Sequence, residues 1–267
     1  MSPELNPRTS FRRSLQIERR VIGALLMREV ITRFGRHNLG VLWLVGEPML
    51  FTLGIAVLWS VMGHKNEPGM PIAAFAITGY SSVLVWRNTV LRCTLAVHQN
   101  VGLLYHRNVQ VIDVLLTRIL LEVGGATGSF LTLSLLFCGL EVIDAPRDLL
   151  VVLEGWLMLA WLGASLALTM GALSVYSNLV ERLWHPISYV LFPLSGAAFM
   201  VDWLPQDLQK WILLLPMVHG VEAVRDGFFG AAVRTHHDLG YMAACCFVLT
   251  LTGLLLTRGA AERAGVE

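Results

Sequence analysis

The chain reads as an all-α polytopic membrane protein. Six transmembrane helices are expected, with both termini in the cytoplasm, an amphipathic interface helix before the first span and re-entrant outer helices before the last. Three observations predict this. Of 267 residues, 55% are hydrophobic and only 15% charged, against about a quarter charged in soluble domains. Apolar stretches recur at lengths near the roughly 20 residues that carry a helix across a hydrocarbon core about 30 Å thick. Basic residues gather on the side where that topology places the inner segments. The formal net charge of +1 gives no electrostatic footprint for a nucleic-acid partner.

Residues 1–38 form the cytoplasmic N-terminal segment. Within 19–36, Val21, Ile22, Leu25, Leu26, Val30, Ile31 and Phe34 share one helical stripe. Arg19, Arg20, Arg28, Glu29, Thr32, Arg33 and Arg36 occupy the other face. Such a helix either anchors to anionic lipid alone or also docks a cytoplasmic partner. Spans are expected at 39–62, 71–91, 111–140, 149–176, 184–201 and 239–257, inside a transmembrane domain of 39–257, with a cytoplasmic tail at 258–267. The fifth span is the shortest and holds Pro186 and Pro193, which membrane helices tolerate where neighbours satisfy the freed carbonyls. In segment 202–238, Trp203, Leu204, Leu208, Trp211, Ile212 and Leu215 recur at helical spacing before Pro216. Val218, Val221 and Val224 begin a second pattern, ended by Gly227. Either two half-helices dip into the outer leaflet or two amphipathic helices lie on the surface; re-entry is the arrangement expected.

Orientation follows from arginine placement. Residues 1–38 hold eight arginines against Glu4, Glu18 and Glu29. With that segment inside, Arg92, Arg107, Arg182, Arg258 and Arg263 join it, giving thirteen inner basic residues against five outer ones: Lys65, Arg147, Lys210, Arg225 and Arg234. Were the fifth stretch not to span, the last two arginines would move outside. A polar cluster at His98, Gln99, Asn100, Tyr105, His106, Arg107 and Asn108 lies between the second and third spans. It is either a solvated loop or a helix that seats in a partner.

The run Arg28–Glu29, Thr32–Arg33–Phe34–Gly35, Leu39–Gly40, Leu42–Trp43 and Glu47–Pro48 resembles the start of type-2 ABC transporter membrane subunits that export polysaccharide. Pro216–Met217–Val218–His219–Gly220–Val221–Glu222 resembles the segment ahead of that family's last span. The nearest likeness is to capsular polysaccharide exporter permeases of Gram-negative bacteria; O-antigen and teichoic-acid exporters share the first motif, and the alternative is a permease of this type for another cargo such as O-antigen, teichoic acid or a drug. The resemblance implies a multi-pass protein of the bacterial inner membrane. It further implies a homodimer carrying two cytoplasmic ABC ATPase subunits, a lipid-linked polysaccharide cargo, a periplasmic adaptor and an outer-membrane export channel. It also implies that Arg28, Arg33, His98, Tyr105, His106 and Arg107 couple the chain to the ATPase. No cofactor is expected in this chain, since ATP and Mg would sit on the partner, and no Gly-x4-Gly-Lys-Ser/Thr loop occurs in the sequence. The four cysteines have no metal-ligand spacing, so no metal site is expected. A membrane-embedded transferase would need paired acids on the inner side, where Glu181 stands alone beside Arg182. A non-transporting membrane scaffold is the other distant alternative.

Charges and rings within the spans suggest a path. Each buried charge costs about 2.5–3.5 kcal/mol at a helix centre, so it needs a partner or water. Arg118 and Glu122, four apart, can neutralise each other. Glu47, beside Pro48, is expected to pair with Arg87 or Arg118 of a neighbouring helix. Arg87, Arg92 and Arg28 gather near the inner mouth, where they could attract an acidic lipid-linked end. Tyr189, Phe192 and Phe199 fall on one face of the fifth span, and Trp43, Glu47 and Phe51 on one face of the first. Such rows are either ordinary packing or a surface on which sugar rings slide. Trp59, Trp86, Trp203 and Trp211 read as interface-belt residues, while Gly124 with Gly128 and Gly163 with Ala167 permit close helix approach.

Overall fold

The chain's computed structural model describes residues 11–34, 39–62, 70–104 and 109–263, and every regular element among them is helical. In order these are α1 (Phe11–Phe34), α2 (Leu39–Val61), α3 (Ile72–Thr94), the one-turn α4 (Ala96–Gln99) and α5 (Val101–Leu104), α6 (Val111–Gly139), α7 (Leu149–Tyr176), α8 (Asn178–Leu194), α9 (Gln206–Ile212), α10 (Pro216–Phe229) and α11 (Leu239–Arg263). Among the described residues four segments are long and apolar enough to cross a membrane: Leu42–Val61 of α2, all of α6, all of α7, and Leu239–Ala260 of α11.

The other two expected spans have different characters. The 23 residues of α3 reach about 35 Å, yet Thr78, Ser81, Ser82 and Thr89 make it polar. It can carry them because α2, α6, α7 and α10 surround it and shield its hydroxyls from lipid; Thr78 donates to Ala74 O of its own helix at 2.8 Å, and Ser81 lies 3.5 Å from Thr52 of α2. The 17 residues of α8 reach only about 25 Å. It begins at Asn178 rather than 184, where Ser177 caps it by accepting from Leu179 N at 3.2 Å. It stops at Leu194 rather than 201 because Gly196 adopts φ +84°, a left-handed conformation that ends the helical path. Phe199 therefore lies beyond the helix, and the expected face of Tyr189, Phe192 and Phe199 does not exist as one stripe.

At the centre lies α7, packed against α3, α10 and α11. Apolar side chains gain little by leaving lipid for protein, so helix contact here depends on how closely backbones approach. Gly155, Gly163 and Gly171 supply that closeness. A Cβ on Gly155 would lie 2.8 Å from Val224 N, one on Gly163 2.9 Å from Trp86 Cα, and one on Gly171 2.6 Å from Leu115 Cδ2. On α6 the sequence-based choice shifts by one residue. Gly124 faces open space, while Gly125 and Gly128 receive Leu44 and Val45 of α2.

Segment 202–238 follows neither expected arrangement throughout. Helix α9 buries no residue, as a surface helix should. Helix α10 instead lies within the bundle, with Met217 through Arg225 all buried. Its tail is stitched to the start of α7: Asp148 N donates to Gly227 O at 2.8 Å, and Arg147 N to Phe228 O at 3.3 Å.

Candidate functional site

Polar and aromatic groups collect in three places. The first is the end of the bundle where α1 and α4 lie. Arg28 Nη1 donates to Asn100 Oδ1 at 2.7 Å, and Asn100 Nδ2 is held by Ala96 O at 2.8 Å. Arg118 Nη2 reaches Glu29 Oε1 at 3.0 Å and Gln99 Oε1 at 2.9 Å. Glu29 and Arg118 are nearly buried, so this bond ties the amphipathic helix to α4 and α6. Arg92 Nη2 reaches Glu47 Oε1 at 3.1 Å, and its Nε lies 3.8 Å from Glu122 Oε1, joining α2, α3 and α6.

Two expectations change here. Glu47 pairs with Arg92, one turn or more from the expected Arg87 and on another helix from Arg118. Arg118 is engaged by the interface helix through Glu29, a pairing across elements rather than only along α6. His98 is exposed, with Nε2 3.2 Å from Ser174 O of α7. The Arg33 side chain and Tyr105, His106 and Arg107 lie outside the described residues.

The second place is a row of rings running from α8 toward α10. Arg87 sits over Tyr189 at 5.0 Å and over Phe192 at 5.5 Å. Phe192 meets Phe51 at 6.1 Å and Tyr80 at 5.7 Å. Tyr80 meets Trp59 at 5.9 Å, Trp59 stacks on Phe75 at 5.7 Å, and Phe75 stacks on Trp203 at 5.4 Å. Edge and stacked geometries of this kind are favourable beyond their area. Of the sequence-nominated rings, Phe51, Tyr189 and Phe192 belong to the row. Trp43 is exposed and touches no ring among the described residues, and Phe199 enters only through its carbonyl. Tyr80 and Phe75 were not anticipated, and Trp59 and Trp203 join the row rather than standing apart as belt residues. Arg87 meets rings but no carboxylate among the described residues, unlike Arg92 and Arg118.

The third place is the block around α10. Arg225, fully buried, donates from Nη1 to Gly196 O and Phe199 O, both at 2.6 Å, and from Nη2 to Ala197 O at 2.8 Å. Its guanidinium lies 3.9 Å over the Phe75 ring. Gly79 of α3 lets this happen, since a Cβ there would lie 2.5 Å from Arg225 Nη2. Glu222, also fully buried, accepts from His236 N at 3.0 Å and Val201 N at 3.4 Å. His219 Nδ1 accepts from Asp238 N at 2.9 Å, so its proton belongs on Nε2, which faces Leu213 O at 2.8 Å. One short helix thus fixes the loop on either side of it by charged and polar side chains bonded to backbone. Two charges three residues apart in an apolar helix were the available signal in the sequence.

Residues 20–229 match the ABC-2 type transporter family. The chain is 42% identical over 247 residues to the capsule polysaccharide export inner-membrane protein CtrC of Neisseria meningitidis serogroup A, across 92% of this chain and 93% of that protein. It is 39% identical over 259 residues to the capsule polysaccharide export inner-membrane protein BexB of Haemophilus influenzae, across 97% of each. With the polysialic acid transport protein KpsM of Escherichia coli it shares 25% identity over 248 residues, 92% of this chain and 96% of that one.

Proposed function

This chain belongs to the ABC-2 type transporter family, and from that premise we propose that it is the permease subunit of an ATP-driven exporter moving lipid-linked capsular polysaccharide across the bacterial inner membrane. Six spans, α2, α3, α6, α7, α8 and α11, carry it, with α1 and α4 on the cytoplasmic face and α10 re-entering from the outer side. The arginine bias of residues 1–38 supports that orientation. Two copies form the pathway, and separate ATPase subunits, which bind ATP and Mg, dock against α1 and the 98–110 segment. The adaptor and outer-membrane channel continue the route.

The observation that carries the cargo assignment is the row of rings with Arg87 at its α8 end. Aromatic faces accept the C–H faces of sugar rings without reading their order, so a polymer can move along them. Arg87, free of carboxylates among the described residues, is the guanidinium placed to meet an acidic group on the polymer or its lipid end. Arg92 and Arg28, which also lie at that end, are already engaged by Glu47 and Asn100. They hold the entrance in shape, while Tyr189, Phe192 and Phe51 form its wall.

A chromosomal deletion tests this. The expected outcome is loss of surface polysaccharide with lipid-linked polymer retained inside the cell. A strain that keeps its capsule but loses O-antigen, teichoic acid or drug resistance would transfer the assignment to that cargo.

A further inference from the structure

At the α10 end the row of rings stops at a cavity of about 520 Å³ lined by Asp202, Trp203 and Arg234 over a floor of Met70 and Met200. Trp203 is half exposed while stacked on Phe75 with ring planes 23° apart, so the last ring of the row is also a wall of this cavity. Asp202 Oδ1 lies 3.1 Å from His236 Nε2. No other partner of that carboxylate, and none of the Arg234 guanidinium, occurs among the described residues.

We infer that this cavity is an exit subsite for a short stretch of sugar, resting on the export function proposed above. Its chemistry is that of saccharide recognition. A large aromatic face meets the C–H face of a pyranose, a carboxylate accepts from vicinal hydroxyls, and a planar guanidinium donates to hydroxyls or to an acidic substituent. Its size suits two or three sugar units, since pockets of about 300–1,000 Å³ enclose ligands of that mass. The site is built in advance. Val201, next to Asp202, is held through its N–H by Glu222, and the same carboxylate holds the backbone of His236, whose ring meets Asp202. Arg225 fixes the carbonyls of Gly196, Ala197 and Phe199 just upstream. Side chains so supported lose little freedom on binding. At the end of a non-selective track, such a subsite retains the emerging chain against backsliding.

The test uses the purified permease–ATPase complex in lipid nanodiscs. The probes are di- to hexasaccharides released by mild acid from the producing strain's own surface polymer, and saturation-transfer NMR reads their binding. Trp203→Ala should weaken hexasaccharide binding by about tenfold or more, Trp203→Phe should restore most of it, and Arg234→Gln should weaken it by about threefold to tenfold. If Trp203→Ala fails to assemble, the exposed Arg234→Gln variant alone decides. Equal binding by wild type and variants, or none by wild type, overturns the inference. So does unchanged saccharide binding with loss of a co-purifying periplasmic protein, which would make the cavity a peptide site. An encapsulated deletion strain would instead overturn the export function itself, a result independent of these titrations.

Discussion

The two ends of the bundle hold their charges in opposite ways. At the α1 end, side chain meets side chain across separate elements: Arg28 with Asn100, Arg118 with Glu29, Arg92 with Glu47. At the α10 end, Arg225 and Glu222 are fully buried and bond to backbone carbonyls and amides. The pair of Arg92 and Glu47, 37% and 44% exposed, can part and find new partners at modest cost. A guanidinium buried on three carbonyls cannot. The first arrangement suits the end proposed to move with an ATPase, the second the end proposed to stay put while polymer passes.

Substitutions can break that contrast or sharpen it. Arg225→Gln removes charge from a sealed site and leaves Gly196, Ala197 and Phe199 carbonyls short of donors. It should destabilise the protein by about 3–5 kcal/mol, read as loss of folded protein in thermal unfolding of the detergent-solubilised chain. A wild-type melting curve would show that the α10 end is no more rigid than the other. Next in size is Arg118→Glu, which sets two carboxylates together at the foot of α1. Export should fall by about tenfold or more while the fold persists, and Glu29→Arg in the same chain should recover part of the loss. Additive losses in the double variant would deny that the pair acts as a unit. Smallest is Glu47→Gln. Because its bond to Arg92 is half exposed, stability should change by less than about 1 kcal/mol and export by less than about fivefold. A larger effect would place Glu47 in contact with cargo.

Much of the helical plan was legible because long apolar runs have few alternatives. The stop of α8 and the bonds that hold α10 were not, and the reasons are local. Gly196 turns the chain where hydropathy continues, so periodicity carried Phe199 onto a face that had already ended. Glu222 and Arg225 look like interruptions of an apolar helix until the carbonyls of 196–199 supply their partners. At the α1 end the sequence showed that Glu47 needs a basic neighbour, but not the rotation of α3 that chooses Arg92 over Arg87. The row of rings was the hardest to foresee. Phe51 and Trp59 come from α2, Phe75 and Tyr80 from α3, Phe192 from α8 and Trp203 from the turn before α9, so no single helix shows its period. For the same reason Gly125, not Gly124, meets α2, since one residue on a helix is 100° of rotation.

The position of α10 also sets an order of assembly. It sits against α3 and α7, both of which leave the ribosome before it. Until α10 is made, the backbone of Gly155 and the face of Gly79 lack the Val224 amide and Arg225 guanidinium that pack on them. The guanidinium and carboxylate of α10 can settle there only together with the 196–201 strand of chain that satisfies them. In chain order α10 therefore follows the two helices that form its seat, and α11, packed on α7, follows α10.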